Sequence, residues 1–255
     1  MDPRRLARRE LTILAVVVLA LTRVTDGPAL LIVTALFVAM LVTGALAVLG
    51  EGEPTGVPIE TLMPVAATGI AAAAVVRIVP VGALLLPAIG AAAMLIHVAV
   101  GVEARIAAQA SPPDDRDRRA ILMVALATCF VTVIGMPQAA TDLGATGVAA
   151  ILLVPLADGI VAALLGYRLA ALRRPDIRAA AFSALTYGAI IALAVAGLGA
   201  LELPRLVEPA LLVLVFYLWD AVHATEPARR RGTRWLVELG VLAVLGVAVI
   251  VLASR

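Results

Sequence analysis

The side chains best placed to do chemistry in this chain lie inside apolar sequence. Asp158 sits in the run Val154-Pro155-Leu156-Ala157-Asp158-Gly159. Pro155 has no N–H to offer the carbonyl of Ile151, and Gly159 weakens the next turn, so a carboxylic acid stands beside freed backbone carbonyls. An acid in such surroundings is costly unless it is paired or hydrated, and is by default a functional residue. The pattern is that of a Pro-broken membrane helix that coordinates a proton or an ion. The structural alternative is a kink whose Asp158 is neutral, or is paired with a neighbouring helix for stability.

A second constellation is Tyr217, Asp220 and His223, spaced i, i+3, i+6 and so along one helical face. Asp220 there would orient and charge His223, as an acid/base pair or half a metal site requires. An interfacial aromatic belt explains the same residues without chemistry. His97 lies in another apolar run, and together with His223 it would suit a haem or a chlorophyll-like pigment; alternatively it hydrogen-bonds between helices. Glu60 and Glu238 each open an apolar run, where an acid favours the positive end of a helix dipole. Arg77 and Glu208 read as snorkelling and capping residues, and Asp142 as a turn residue in an external loop from Pro137 to Gly147.

Missing residue types exclude whole classes. All 20 basic residues are Arg, with no Lys, so neither a retinal or pyridoxal Schiff base nor a P-loop lysine can form. Two His forbid H-E-x-x-H and three-His zinc sites. The single cysteine, Cys129, permits no disulfide within the chain and reads as a small buried residue. The basic residues come in short clusters at a net charge of +2, which does not make a nucleic-acid footprint. No cofactor is indicated beyond the His pair, and no metal site.

The elements that must position these residues are membrane helices. Apolar residues make up 63% of the 255 and mean hydropathy is +1.07, well above a soluble domain. Runs near the 20 residues needed to cross a bilayer recur, separated by charge, Pro and Gly. Nine are expected: 11–25, 29–49, 60–77, 81–102, 120–136, 148–167, 179–200, 207–224 and 235–253. The first is the shortest, and no small-residue cleavage site follows it, so a helix is favoured over a signal peptide.

Threading the nine from a cytoplasmic N-terminus sorts the arginines sixteen to four. Inside fall the clusters of Arg4 to Arg9, Arg105 to Arg119, Arg168 to Arg178 and Arg229 to Arg234. Outside fall only Arg23, Arg77, Arg205 and Arg255. The positive-inside rule therefore predicts a cytoplasmic (inner) membrane protein with its C-terminus outside. The polar stretch Ser111 to Arg119 reads as the only real linker. It divides a single transmembrane domain into four helices and five, which permits a parallel pseudo-repeat of 1–110 and 120–226 followed by a final helix, 235–253. His97 before Glu103-Ala104-Arg105 and His223 before Glu226-Pro227-Ala228-Arg229 support it. Gly and Ala throughout the helices predict tight packing, against a wide pore and suited to a homo-oligomer or to docking other membrane subunits.

Three functions are compatible with these residues. An ion-coupled carrier would use Asp158. A non-catalytic subunit or assembly factor of a membrane complex, with or without a bound cofactor, would use the small-residue faces. A membrane-embedded enzyme acting on a lipid-like substrate would use Tyr217, Asp220, His223, His97 and Glu60 near the cytoplasmic face.

Overall fold

Apolar runs of this length have no water to satisfy their backbone and must coil into helices. The computed structural model describes residues 3–50, 56–109, 113–173, 176–201, 203–225 and 233–253. Among these there is no strand, and nine α-helices follow one another: α1 Pro3–Val24, α2 Pro28–Gly50, α3 Met63–Val75, α4 Leu85–Ala107, α5 Asp115–Asp142, α6 Val148–Ala171, α7 Ile177–Leu198, α8 Val207–Ala224 and α9 Thr233–Ala253. Short 3-10 turns at Ile59–Thr61 and Gly199–Leu201 flank α3 and α7. Six helices, α2 and α4 to α8, are long and apolar enough to cross a membrane. Large apolar side chains such as Leu36, Met123, Leu152, Phe182 and Leu193 stand exposed around the outside, as lipid would require.

Several boundaries differ from the sequence expectation. The expected span 60–77 is a helix of only 13 residues behind a 3-10 turn, about 20 Å long at 1.5 Å per residue. It is apolar nearly all round because it is mostly buried, packed by α2, α4, α5 and α6, with Met63, Ala66 and Ile70 left half-buried. The linker is shorter than expected. Asp114 accepts the amide of Asp117 at 2.8 Å and caps α5, so the acidic residues Asp115 and Asp117 form its first turn. At its other end α5 runs through Pro137 to Asp142 where a loop was expected. Pro137 removes one ladder bond, which the flanking turns survive. The helix α1 starts eight residues before the apolar run 11–25, and buries Leu11, Ala15, Leu19 and Thr22 on one face.

Contacts sort the helix ends into two sets. At one, here the Asp142 end, meet the C-termini of α1, α3 and α5 and the N-terminus of α2. At the other, the Glu103 end, meet the C-termini of α4 and α6 and the N-terminus of α5. Successive helices from α1 to α6 thus alternate in direction. In α1–α4 and again in α5–α8 the first helix packs on the second and fourth, and the third on the same two.

Candidate functional site

Asp158 falls near the middle of α6, which runs unbroken from Val148 to Ala171 through Pro155. The break expected at Pro155 is absent: losing the single bond to Ile151 does not outweigh the need of every other backbone group to stay paired in an apolar setting. The next residue fixes the inward direction of Asp158. Gly159 faces Gly188 of α7 so closely that a Cβ on either would stand 2.9 or 2.8 Å from the other's carbonyl oxygen. Two turns further, Gly166 accommodates the ring of Tyr187. This small-residue seam makes α6 and α7 the most intimately packed pair and turns Asp158 toward α5 and α8.

There the Asp158 side chain is 2% exposed. Neither carboxyl oxygen has a hydrogen-bond partner among the described residues. It is packed among Cys129, Thr132, Val133, Val161, Ile191 and Leu212, with no room left for a water molecule. Thr132 spends its hydroxyl proton on the carbonyl of Thr128 at 2.7 Å, while the hydroxyl of Thr128 is buried without a partner. A group with two orphaned oxygens in a dry interior contributes nothing to stability and costs about 1–3 kcal/mol.

Among the described residues the other buried carboxylates each face a guanidinium, although Oδ2 of Asp117 has no hydrogen-bond partner of its own. At the Glu103 end, Arg168 grips Glu103 through Nε at 2.9 Å and Nη2 at 2.6 Å, with side chains 6% and 0% exposed. Glu60, in the turn before α3, is close enough to oppose the charge of Glu103. Arg105 reaches Asp117 at 3.2 Å. Beside them Arg173 donates to both oxygens of Asp220 at 2.6 and 2.7 Å, and the Tyr187 hydroxyl donates to Asp220 Oδ1 at 2.7 Å. Burial works against the charge of Arg173, yet the neighbouring Asp220 carboxylate outweighs it and holds the pKa above the usual arginine value. At the Asp142 end, Arg77 binds Asp26, Asp142 and the carbonyls of Thr22 and Thr25.

The sequence candidates are therefore regrouped. Asp220 serves Arg173 and Tyr187; its expected helix-mate Tyr217 is partly exposed on an open cleft of about 830 Å³ that Asp220 also borders. His223 stacks against Tyr187 and Trp219 at centroid distances of 5.4 and 5.0 Å, and its Nδ1 lies 3.0 Å from the carbonyl of Trp219. His97 shares a hydrogen bond of 2.8 Å with Thr12 of α1. The two imidazoles thus meet different neighbours, His97 on α1 and His223 on α7 and its own helix. Among the described residues no three His, Cys, Asp or Glu side chains converge as a metal would require. Arg77 is no snorkelling residue and Asp142 no turn residue, since each is half of a buried network. The side chain of Glu238 and the stretch Glu226 to Arg229 lie outside the described residues.

Sequence reasoning passed over Glu103, Arg168, Arg173 and Tyr187. The sequence expectation places their arginines in loops, whereas Arg168 lies within α6, three residues before its last. The one available signal was an acid in the tail of one apolar run and a base in the tail of another. No known family model, curated protein or solved structure matches this chain.

Proposed function

We propose that this chain is a small proton-coupled carrier of the cytoplasmic (inner) membrane, with Asp158 as the group that takes up and releases the proton. In this reading nine helices are threaded with the N-terminus inside and the C-terminus outside, the arginine-rich Glu103 end facing the cytoplasm. The short α3 is sheathed by its neighbours, so it need not match the bilayer itself. The repeated adjacency of α1–α4 and α5–α8 suits a parallel internal repeat.

The observation that carries the proposal is the orphaned, buried carboxyl of Asp158. A structural acid is retained for the partner it holds, and among the described residues every other buried acid has one. Asp158 has none, so a role outside the static structure explains its cost. With no cation beside it the neutral acid is the form that fits this space, and the proton is its natural ligand. A sodium or calcium ion would want several oxygen ligands, whereas the lining is mostly Val, Ile and Leu. The ion pairs at the two ends close the bundle on either side of Asp158, and one set must open for a proton to reach it. The enzyme alternative loses its base, because both oxygens of Asp220 are already engaged.

Dicyclohexylcarbodiimide, an apolar reagent for protonated carboxyls, tests the proposal in proteoliposomes. The expected result is an adduct on the α6 peptide at Asp158 whose rate of formation falls as pH is raised in one compartment. Labelling that ignores the pH of both compartments would mean that Asp158 never meets water and couples nothing.

A further inference from the structure

On the opposite side of α6 from Asp158, a crevice of about 260 Å³ opens sideways between α2 and α3 on one hand and α5 and α6 on the other. Its walls are hydrocarbon, contributed by Ile70, Ala74, Met136, Ala139, Leu153 and Ala157. Leu31, Leu156 and Ile160 form the rim and are 58%, 63% and 49% exposed. The opening therefore faces the surroundings of the spanning helices and not the bundle core.

The crevice occupies one half of the bundle. It starts at the Asp142 end, where Arg77 closes it, and reaches Ile160. Along α6 the lining runs from Leu153 to Ile160, a rise of about 10 Å at 1.5 Å per residue. Half of a roughly 30 Å hydrocarbon core is about 15 Å. The groove thus fits within a single leaflet.

Charges at its mouth are balanced. Arg77 is 1% exposed and consumed by Asp26 and Asp142. Arg23 is half-buried and uses Nε on the carbonyl of Val79 at 3.1 Å, and the Asp26 side chain remains 74% exposed. One guanidinium and one exposed carboxylate at headgroup level match a phosphate and an ammonium on the same molecule.

We propose that this crevice is a lipid site, holding one acyl chain of a zwitterionic phospholipid from the leaflet at the Asp142 end, with the headgroup set between Arg23 and Asp26. The site wedges between the first four helices and the next four, so a bound chain fixes their spacing. It does not depend on Asp158 titrating.

The test uses the full chain in liposomes doped with phosphatidylcholine carrying a diazirine at mid-chain. After illumination, adducts are mapped by peptide mass spectrometry. The expected pattern is at least a several-fold excess on the crevice-lining segments of α3, α5 and α6 over exposed residues such as Phe182 and Leu193. Filling the crevice from its half-buried edge with Ala157→Phe or Thr34→Trp should remove the excess while leaving labelling of Phe182 unchanged. Two separate variants, each checked for an unaltered unfolding midpoint, guard against a fold defect. Even labelling over all lipid-facing residues, or an excess that survives both variants, would overturn the site. Stronger labelling by an anionic phosphatidylglycerol with the same diazirine would overturn the headgroup assignment. Since the readout is occupancy, it stands or falls separately from carbodiimide labelling of Asp158.

Discussion

Breaking the Glu103–Arg168 pair should be far more damaging than deleting it. The pair is bidentate at 2.9 and 2.6 Å, with the acid fully buried and the guanidinium nearly so. Arg168→Met keeps the bulk of the stem but strands a carboxylate that Glu60 already repels. Removing one partner of a buried pair costs about 3–5 kcal/mol, whereas replacing both by apolar side chains of similar size is near neutral or stabilising by about 1–4 kcal/mol. The expected order of stability is therefore Arg168→Met well below wild type, and the double variant Glu103→Met/Arg168→Met close to wild type or above it. Unfolding in mixed detergent micelles, followed by circular dichroism, measures all four corners of the cycle. A double variant as unstable as the sum of the two single losses would show that the two side chains act independently, and would refute the reasoning from their geometry.

Asp158→Leu should raise stability by about 1–3 kcal/mol in the same assay, because it removes an uncompensated buried carboxyl from an apolar surrounding; a loss would reveal a partner. Gly135→Ala should cost about 1–3 kcal/mol, since its Cβ would stand 2.5 Å from the Val75 amide nitrogen and 2.6 Å from the Ala74 carbonyl carbon. In contrast Gly90→Ala, which meets nothing within 4 Å, should be neutral or slightly stabilising. Asp114→Ala should speed hydrogen exchange at the Asp117 amide. That amide holds the Asp114 carboxyl below its ordinary pKa, so the cap is fully present above the unfolded-state value and is lost as pH falls through the depressed one.

The sequence could be read for helices because lipid-crossing length and apolarity are written directly in composition, and for the inward direction of Asp158 because an acid has few places to go. What it hid was pairing. Glu103 and Arg168 are 65 positions apart, and nothing in either run names the other. Helical spacing groups Asp220 with Tyr217 and His223, but the hydroxyl that binds it belongs to Tyr187 on another helix, where Gly166 makes room for the ring. Helix α3 misled for a different reason. A largely buried short helix and a lipid-crossing one share the same Ala-rich texture, and only its neighbours distinguish them.

Infrared difference spectroscopy of the reconstituted protein tests the central claim most directly, because the carbonyl stretch of a protonated carboxyl without hydrogen bonds lies at the high-frequency end of the carboxylic-acid range. The account predicts one such band, absent from Asp158→Asn, that disappears reversibly as the pH of the buffer rises while the helical signal stays constant. No Asp158 band at any pH, or a band that persists until the helices unfold, would contradict the claim that this residue exchanges its proton in the folded carrier.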